Sequence, residues 1–216
     1  EMERVGVEVI ADARVAEIRP VKSGFILKTD DGKEFCADKV IFAPGGKAMP
    51  SSGSDGGGYD IARGLGHSFV DVFPALVQLK LDGGFFKQID GVKFVGSAQI
   101  LSGEVSLAKD RGDILFGNYG VSGPPILQIS RRAGELLRSG KNAVLKLTIM
   151  DTVSTEDVDK LLNKRFCAAP YKTLEFSMIG LINKRLIPVV LKEAGARDLR
   201  TPTGDVSDEL RWAIAK

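Results

Sequence analysis

Few residues in this sequence have side chains that could do chemistry, and its most unusual feature is its glycine content. There is one histidine, His67, and there are two cysteines, Cys36 and Cys167, far apart in the chain. One histidine cannot build a histidine-based metal site, and the candidate serines Ser51, Ser52, Ser54 and Ser122 have no base near them in the sequence, so we expect no metal site and no Ser-His-Asp hydrolase. The 25 glycines, by contrast, are clustered. Glycine lets a backbone turn sharply or approach a ligand closely, so the clusters are the candidate binding segments.

The first glycine cluster follows an apolar run. Residues 39–43, Lys-Val-Ile-Phe-Ala, have the pattern of a strand buried on both faces, and Pro44-Gly45-Gly46 come next. In open α/β sheets ligands lie beside the carboxyl ends of strands, where small residues leave room for a bulky group. The order predicts a ligand contact at Ala43, Pro44, Gly45 and Gly46. A tight turn after a core strand is the alternative interpretation.

A second cluster, residues 51–58 (Ser-Ser-Gly-Ser-Asp-Gly-Gly-Gly), leads into a predicted helix. Backbone N–H groups at a helix start attract anions, so a phosphate site must be considered. The sequence has no P-loop, because position 41 is isoleucine instead of glycine, and no G-x-G-x-x-G motif joins a strand to a helix. The pattern favours a loop that wraps a ligand or docks on another domain. A flexible loop and a phosphate-binding transferase site are the alternatives.

A third cluster runs from Gly112 to Pro124 and contains four glycines. It predicts a sharply shaped junction between a strand and a helix that is capped by Ser122 or Gly123. A structural corner is the simplest interpretation. Asn118, Tyr119 and Ser122 are polar groups on this junction, and the second interpretation is that they face a substrate.

The elements that must position these segments indicate an α+β protein. Hydrophobic spacing predicts helices at about 59–66, 124–138, 155–168, 173–194 and 206–216. It predicts strands at 5–10, 15–18, 24–29, 39–43 and 143–150, a β-rich stretch over 92–117, and two strands between 68 and 81. Asp30-Asp31-Gly32-Lys33 predicts a hairpin turn. The expected domains are 1–72, a β-meander with a glycine-rich loop; 73–150, a β-rich unit; and 151–216, a helical subdomain.

The composition excludes several classes of protein. Hydrophobic residues make up 44% and charged residues 27% of the 216 residues, which is typical of a globular domain. The formal net charge of +2 lacks the basic excess of a nucleic-acid-binding protein, so we expect no nucleic-acid partner. No apolar run approaches the length needed to cross a bilayer, and no signal peptide is evident. We therefore expect no membrane partner and a cytoplasmic location.

Several motifs, taken in order, resemble the BaiN/YhiN-like flavoproteins, a family of NAD(P)/FAD-dependent oxidoreductases of the two-dinucleotide-binding-domain type. The likeness covers nearly the whole chain. The residues that carry it are Val40–Pro50, Gly53–Ala62, Leu65-Gly66-His67, Pro74-Ala75-Leu76-Val77 and Gly112–Gln128.

The resemblance implies an FAD-binding domain, a β-barrel-like domain inserted into it, and a helical part. It implies that Val15 offers backbone to the adenine of FAD and that Ala43–Gly46 passes close to the cofactor. Asn118, Tyr119 and Ser122 would face the flavin or a small-molecule substrate, and NAD(P)H is the implied electron donor. Family members usually have threonine at the position of Pro44 and often histidine at that of Asn118, so a hydroxyl contact and a titrating role are not expected at these two positions.

The family's N-terminal dinucleotide motif and its C-terminal glycine-rich segment are not in this sequence. The chain therefore resembles the central fragment of an FAD-dependent oxidoreductase, whose partners would be the missing segments of the same FAD domain. We expect this fragment to shape the substrate pocket over the flavin, to hold no FAD tightly by itself and to be inactive alone. A non-catalytic binding or interaction module is the alternative.

Overall fold

The computed structural model describes residues 2–216 of the chain. It forms two units, Glu1–Val72 and Phe73–Lys216. The described residues contain eight β-strands and seven α-helices, and this mixed composition agrees with the predicted class. None of the helices in residues 2–216 is both long and apolar enough to cross a bilayer.

The first unit is built on a three-stranded antiparallel sheet. β1 (Val15–Val21), β2 (Gly24–Thr29) and β3 (Glu34–Ala37) lie in that order. Gly32, between β2 and β3, has a φ of +83°, the left-handed conformation that an Asp-Gly turn supplies. The predicted hairpin is confirmed. One helix, α1 (Gly57–Gly64), follows the glycine-rich loop.

Two strands predicted in this unit are wrong. Residues 5–10 form no strand, and Val7 and Val9 are 49% and 63% exposed. The run 39–43 also lies outside the sheet, and Ile41 is 96% exposed. A strand that is apolar on both faces needs hydrogen-bonded neighbours to satisfy its backbone. Residues 2–216 provide this run with no neighbouring strand.

The second unit contains a five-stranded antiparallel sheet in the order β4-β7-β6-β5-β8. The strands are β4 (Leu79–Lys80), β5 (Lys93–Ser102), β6 (Val105–Gly117), β7 (Gly120–Ser122) and β8 (Val144–Thr148). A short helix, α2 (Phe86–Ile89), lies between β4 and β5 in the chain. The predicted β-rich character is confirmed. Of the two strands expected between residues 68 and 81 only β4 forms, because Pro74 and the positive φ of Leu76 interrupt the extended run.

A third helix, α3 (Pro124–Arg138), forms over the residues predicted for it, 124–138. It covers one face of this sheet. Alternate residues of β5 and β6 point to this face, and Ala98, Ile100 and Ile114 are at most 1% exposed. Ile126 of α3 is fully buried among them. Each such isoleucine contributes about 1.5–3 kcal/mol by leaving water.

Four further helices complete the second unit: α4 (Thr155–Ala168), α5 (Leu174–Ser177), α6 (Ile187–Glu193) and α7 (Asp208–Ala215). Side-chain oxygens of Ser154, Thr173 and Ser207 cap α4, α5 and α7 by accepting a hydrogen bond from a backbone N–H in the first turn. These helices share a second apolar cluster. The helix predicted over 173–194 is interrupted between α5 and α6, where Gly180 has a φ of +85°. Pro188 lies in the first turn of α6, a position that proline tolerates.

Arginine side chains tie this helical part together. Arg165 donates to the carbonyl oxygens of Ser177 and Ile179 at 2.5 and 2.6 Å, which holds the segment after α5. Arg185 donates from Nε and Nη2 to the carbonyl oxygen of Gln88 at 3.0 and 2.8 Å and so joins the segment before α6 to α2. The predicted division near residue 150 lies inside this unit, and it stays a prediction.

Candidate functional site

In the first unit the two glycine-rich segments lie against each other. Pro44 packs on α1 at Gly58, where an added Cβ would lie 2.3 Å from the proline Cγ. A Cβ at Gly46 would lie 3.3 Å from the hydroxyl oxygen of Tyr59. The glycines therefore allow the loop Ala43–Gly46 to pack on the start of α1. Both segments are evident in the sequence, whereas their contact comes from the tertiary structure.

The carboxylate of Asp55 lies at the start of α1, where it binds a backbone N–H group of the first turn. Its Oδ1 accepts a hydrogen bond from the Gly57 N–H at 2.9 Å, and its Oδ2 accepts one from Arg14 Nη2 at 2.9 Å. The Gly57 N–H first, and then Arg14, lower the pKa of the Asp55 carboxyl below its ordinary value. Because an anionic group already occupies this helix start, the phosphate-site interpretation of residues 51–58 loses its main physical argument.

We expect Arg14→Met to raise the pKa of Asp55 part of the way to its ordinary value, since the Gly57 N–H remains. A carboxyl with a lowered folded-state pKa adds stability that is complete above its unfolded pKa of about 3.9. That stability is lost as the pH falls through the folded-state pKa. Carboxyl ¹³C NMR titration measures the pKa of Asp55 in the wild-type and variant proteins, and Arg19→Met, in β1, is the control. An Asp55 titration that Arg14→Met leaves unchanged would contradict the pairing.

A groove of about 660 Å³ opens in the same unit. Its walls come from the sheet (Ile18 and Phe25), from the run before the loop (Val40 and Phe42) and from α1 and the segment after it, with His67 among the lining residues. Nearly all of these side chains are apolar. The groove suits an aromatic or aliphatic surface better than a charged one.

Val15, the predicted adenine neighbour, is the first residue of β1 and pairs with Thr29. The preceding residue, Arg14, accepts a hydrogen bond from the Asp30 N–H on its carbonyl oxygen at 2.9 Å and reaches Asp55 with its side chain. The start of β1 is thereby linked to the start of α1. The structure thus brings Arg14, the neighbour of Val15, into contact with the glycine-rich loop.

In the second unit, Asn118 and Tyr119 form the tip of the β6–β7 hairpin, between the paired residues Gly117 and Gly120. The Tyr119 hydroxyl donates to Gln78 Oε1 at 2.7 Å. Asn118 is exposed. The corner interpretation accounts for this geometry, and Asn118 presents a free polar edge beside it.

Ser122 does not join the hairpin tip. It pairs with Leu115, while its neighbour Val121 pairs with Phe116 and is fully buried in the core. Because side chains alternate along a strand, Ser122 points to the sheet face opposite the core.

Sequence reasoning missed four residues that shape these segments: Arg14, Asp55, Gln78 and Ser130. Ser130 is 1% exposed, and its Oγ accepts a hydrogen bond from the Val77 N–H at 3.2 Å, which anchors the loop before β4. An aspartate just before a helix start was a usable signal for Asp55. Gln78 and Ser130 had none, because their partners lie 41 and 53 residues away. Within residues 2–216 no cluster of three or more His, Cys, Asp or Glu side chains could hold a metal ion.

Comparison with known proteins gives a consistent result. A family profile described as the HI0933-like protein barrel and H2TH domain matches residues 73–216. The chain is 37% identical over 192 residues to the 3-dehydro-bile acid delta(4,6)-reductase of Clostridium scindens, a match that covers 89% of the chain and 47% of that protein.

Two ribosomal RNA dihydrouridine synthases match more distantly. The Escherichia coli enzyme is 24% identical over 226 residues, 99% of the chain and 52% of that protein. The Haemophilus influenzae enzyme is 21% identical over 206 residues, 92% of the chain and 47% of that protein. The chain spans about half the length of the curated relatives it matches. The predicted family is confirmed: this chain belongs to the HI0933-like, or BaiN/YhiN-like, flavoprotein family.

Proposed function

We propose that this chain is the central part of an FAD-dependent oxidoreductase that reduces a small organic molecule. The observation that carries the proposal is the 37% identity to a reductase over 89% of the chain.

The names of the relatives narrow the reaction class. A delta(4,6)-reductase and a synthase of dihydrouridine both imply the addition of hydrogen across a carbon–carbon double bond. We therefore propose that the substrate contains a carbon–carbon double bond activated by a neighbouring carbonyl group. NAD(P)H is the proposed source of the electrons.

The loop Ala43–Gly46 is the proposed contact with the flavin. It fits this role because Ala43, Pro44 and Gly45 are exposed, so their backbone is open to an approaching flat group. The packing of Pro44 on Gly58 fixes the position of the loop. FAD, when bound, supplies hydride transfer. The chain's own residues would hold the ring and keep water from one of its sides.

The start of α1 is a poor site for the diphosphate of FAD. Asp55 already occupies the start of α1, and a second anion there would be repelled. We propose that segments outside this chain bind the diphosphate. Large exposed side chains of the first unit support the presence of such covering segments, above all Ile41, 96% exposed, and Val70, 89% exposed.

On the second unit we propose that Asn118 and Tyr119 face the substrate or flavin. The hydrogen bond from Tyr119 to Gln78 would orient the hairpin tip and leave the Asn118 amide to donate or accept a hydrogen bond. The role of Ser122 is the least supported of the three, since its side chain lies on the other side of the strand from the core.

A second candidate substrate is ribosomal RNA, because two relatives are named as ribosomal RNA dihydrouridine synthases. Their identities of 24% and 21% are lower than that of the bile acid reductase, and the net charge of +2 gives no basic excess for RNA. We therefore rank it below a small molecule. The proposed location is the cytoplasm.

The first test compares this 216-residue chain with a longer version of the protein that includes the flanking sequence. Each is mixed with FAD and desalted, and its visible spectrum is recorded. We expect flavin absorbance only in the longer protein, and we expect NADH or NADPH to bleach it without oxygen. Adding a conjugated enone or uridine-containing RNA should then restore the oxidised spectrum, and the arm that does so identifies the substrate class.

Two outcomes would overturn parts of this proposal. FAD retained by the 216-residue chain would mean that its residues form a complete cofactor site. A longer protein without flavin would contradict the oxidoreductase assignment and favour a non-catalytic interaction module.

A further inference from the structure

The second unit contains a large cavity between two apolar clusters. One cluster packs the five-stranded sheet against α3, and the other joins the helices α4 to α7. The cavity has a volume of about 900 Å³. Phe86 and Leu147 line it from the sheet side, and Leu162, Met178 and Ile214 line it from the helical part. The cavity opens to solvent, since several of its lining residues are exposed. Its volume lies near the upper end of the about 300–1,000 Å³ of ligand pockets.

The walls of the cavity determine the chemistry of its occupant. Most of the lining side chains are aliphatic or aromatic, and within residues 2–216 no buried side-chain nitrogen or oxygen atom lacks a hydrogen-bond partner. Apolar cavities do not hold water well, because water finds no partners there. The body of a matching ligand is therefore a hydrocarbon.

Apart from the half-buried Thr148 and Thr155, the polar side chains of the lining are exposed to solvent. Asp82, Lys146, Glu193 and Lys216 all line the cavity and are exposed to solvent. Two cations and two anions give this rim no net charge, so it selects for neither sign. It suits a ligand whose few polar groups stay near the opening.

Apolar side chains at the opening add a driving force. Val144, Val153 and Leu161 line the cavity but are 53%, 39% and 39% exposed. A long or broad apolar molecule would cover them, at about 25 cal/mol for each Å² removed from water.

We propose that this cavity binds a small lipid-like molecule with a hydrocarbon body the size of a long acyl chain or a sterol nucleus. All of its lining residues belong to the second unit, and the binding does not depend on the redox function. Its ligand enters beside Val144, Val153 and Leu161, the exposed apolar residues of the lining.

The test uses two intrinsically fluorescent probes, cis-parinaric acid for acyl chains and dehydroergosterol for sterols. Each is titrated into the 216-residue chain below its own aggregation concentration, without flavin. We expect saturable one-to-one binding of at least one probe, and the better probe distinguishes a flexible chain from a rigid ring system. Calorimetry should show a negative heat-capacity change, the mark of apolar burial.

Two matched variants locate the site. Ala213→Phe adds a ring to the cavity lining, whereas Ala168→Phe adds the same ring to an exposed position on α4. We expect the first to weaken binding by about tenfold or more and the second to leave it unchanged. If Ala213→Phe fails to fold by circular dichroism, Leu161→Glu at the exposed opening replaces it, with the same expected loss.

Three results would overturn the proposal. The first is the absence of saturable binding by both probes. The second is wild-type affinity in the folded lining variant. The third is an equal loss of affinity in Ala168→Phe. A failure here leaves the flavin proposal untouched, because neither probe nor variant involves the first unit.

Discussion

Gly123→Ala is expected to destabilise the second unit by about 3 kcal/mol or more, because both the backbone and the space at this position exclude a Cβ. Gly123 precedes α3 with φ of +111° and ψ of 161°, a conformation that side chains disfavour. An added Cβ would lie 2.2 Å from the Asp113 carbonyl oxygen and 3.3 Å from the Ile114 Cα. Neither atom can move without disturbing β6 at the point where α3 packs on the sheet.

The matched control is Gly140→Ala, just after the end of α3. Gly140 also has a positive φ, +71°, but an added Cβ there would meet no atom within 4 Å. This variant should cost only the about 1–2 kcal/mol of a left-handed alanine. Urea unfolding followed by the fluorescence of the single tryptophan, Trp212, measures both variants in the second unit. Equal losses would show that the close approach of Gly123 to β6 does not contribute.

Gly58→Ala should weaken the first unit even though alanine is the better helix former. Gly58 lies in the first turn of α1, and an added Cβ would lie 2.3 Å from Pro44 Cγ and 3.3 Å from Phe42 Cζ. A proline ring cannot rotate away, so the loop Ala43–Gly46 must move off the helix. We expect a net loss of about 2 kcal/mol after the helix-propensity gain of about 1 kcal/mol. In the longer flavoprotein, the displaced loop should lower FAD affinity by about tenfold.

Gly64→Ala, at the other end of the same helix, is the control. No atom lies within 4 Å of an added Cβ there, so this change should stabilise α1 and leave FAD affinity unchanged. Hydrogen exchange of the β1–β2 amides reports the stability of the first unit, and fluorescence of free flavin reports the affinity. A Gly58→Ala protein as stable as wild type and with normal FAD affinity would show that the packing of Pro44 does not position the loop.

Elements whose determinants are local in sequence were predictable. The Asp30–Lys33 turn forms as expected because an Asp-Gly pair favours the positive φ that Gly32 adopts. α3 begins and ends where its apolar periodicity predicted, since prolines suit a first helical turn and Ile126 finds an apolar face. α4 begins after Ser154, whose hydroxyl oxygen accepts the capping hydrogen bond. The family, too, followed from the order of motifs along the chain.

The tertiary structure decided what depends on partners distant in sequence. The run 39–43 has the composition of a buried strand, but a strand needs neighbours, and residues 2–216 offer it none. The region 173–194 has helical spacing, yet Gly180 and the hydrogen bonds from Arg165 hold a turn in its middle.

The candidate sites show the same division. The glycine clusters in the sequence identified the loop Ala43–Gly46 and the β6–β7 hairpin as candidate sites. This was possible because the backbone freedom of a glycine is a property of that single residue. The capping of α1 by Asp55, the Tyr119–Gln78 hydrogen bond and the apolar cavity arise only when separate segments meet. Local backbone preferences are encoded residue by residue, whereas packing and hydrogen bonding between distant segments depend on the whole chain, so only the folded structure determines them.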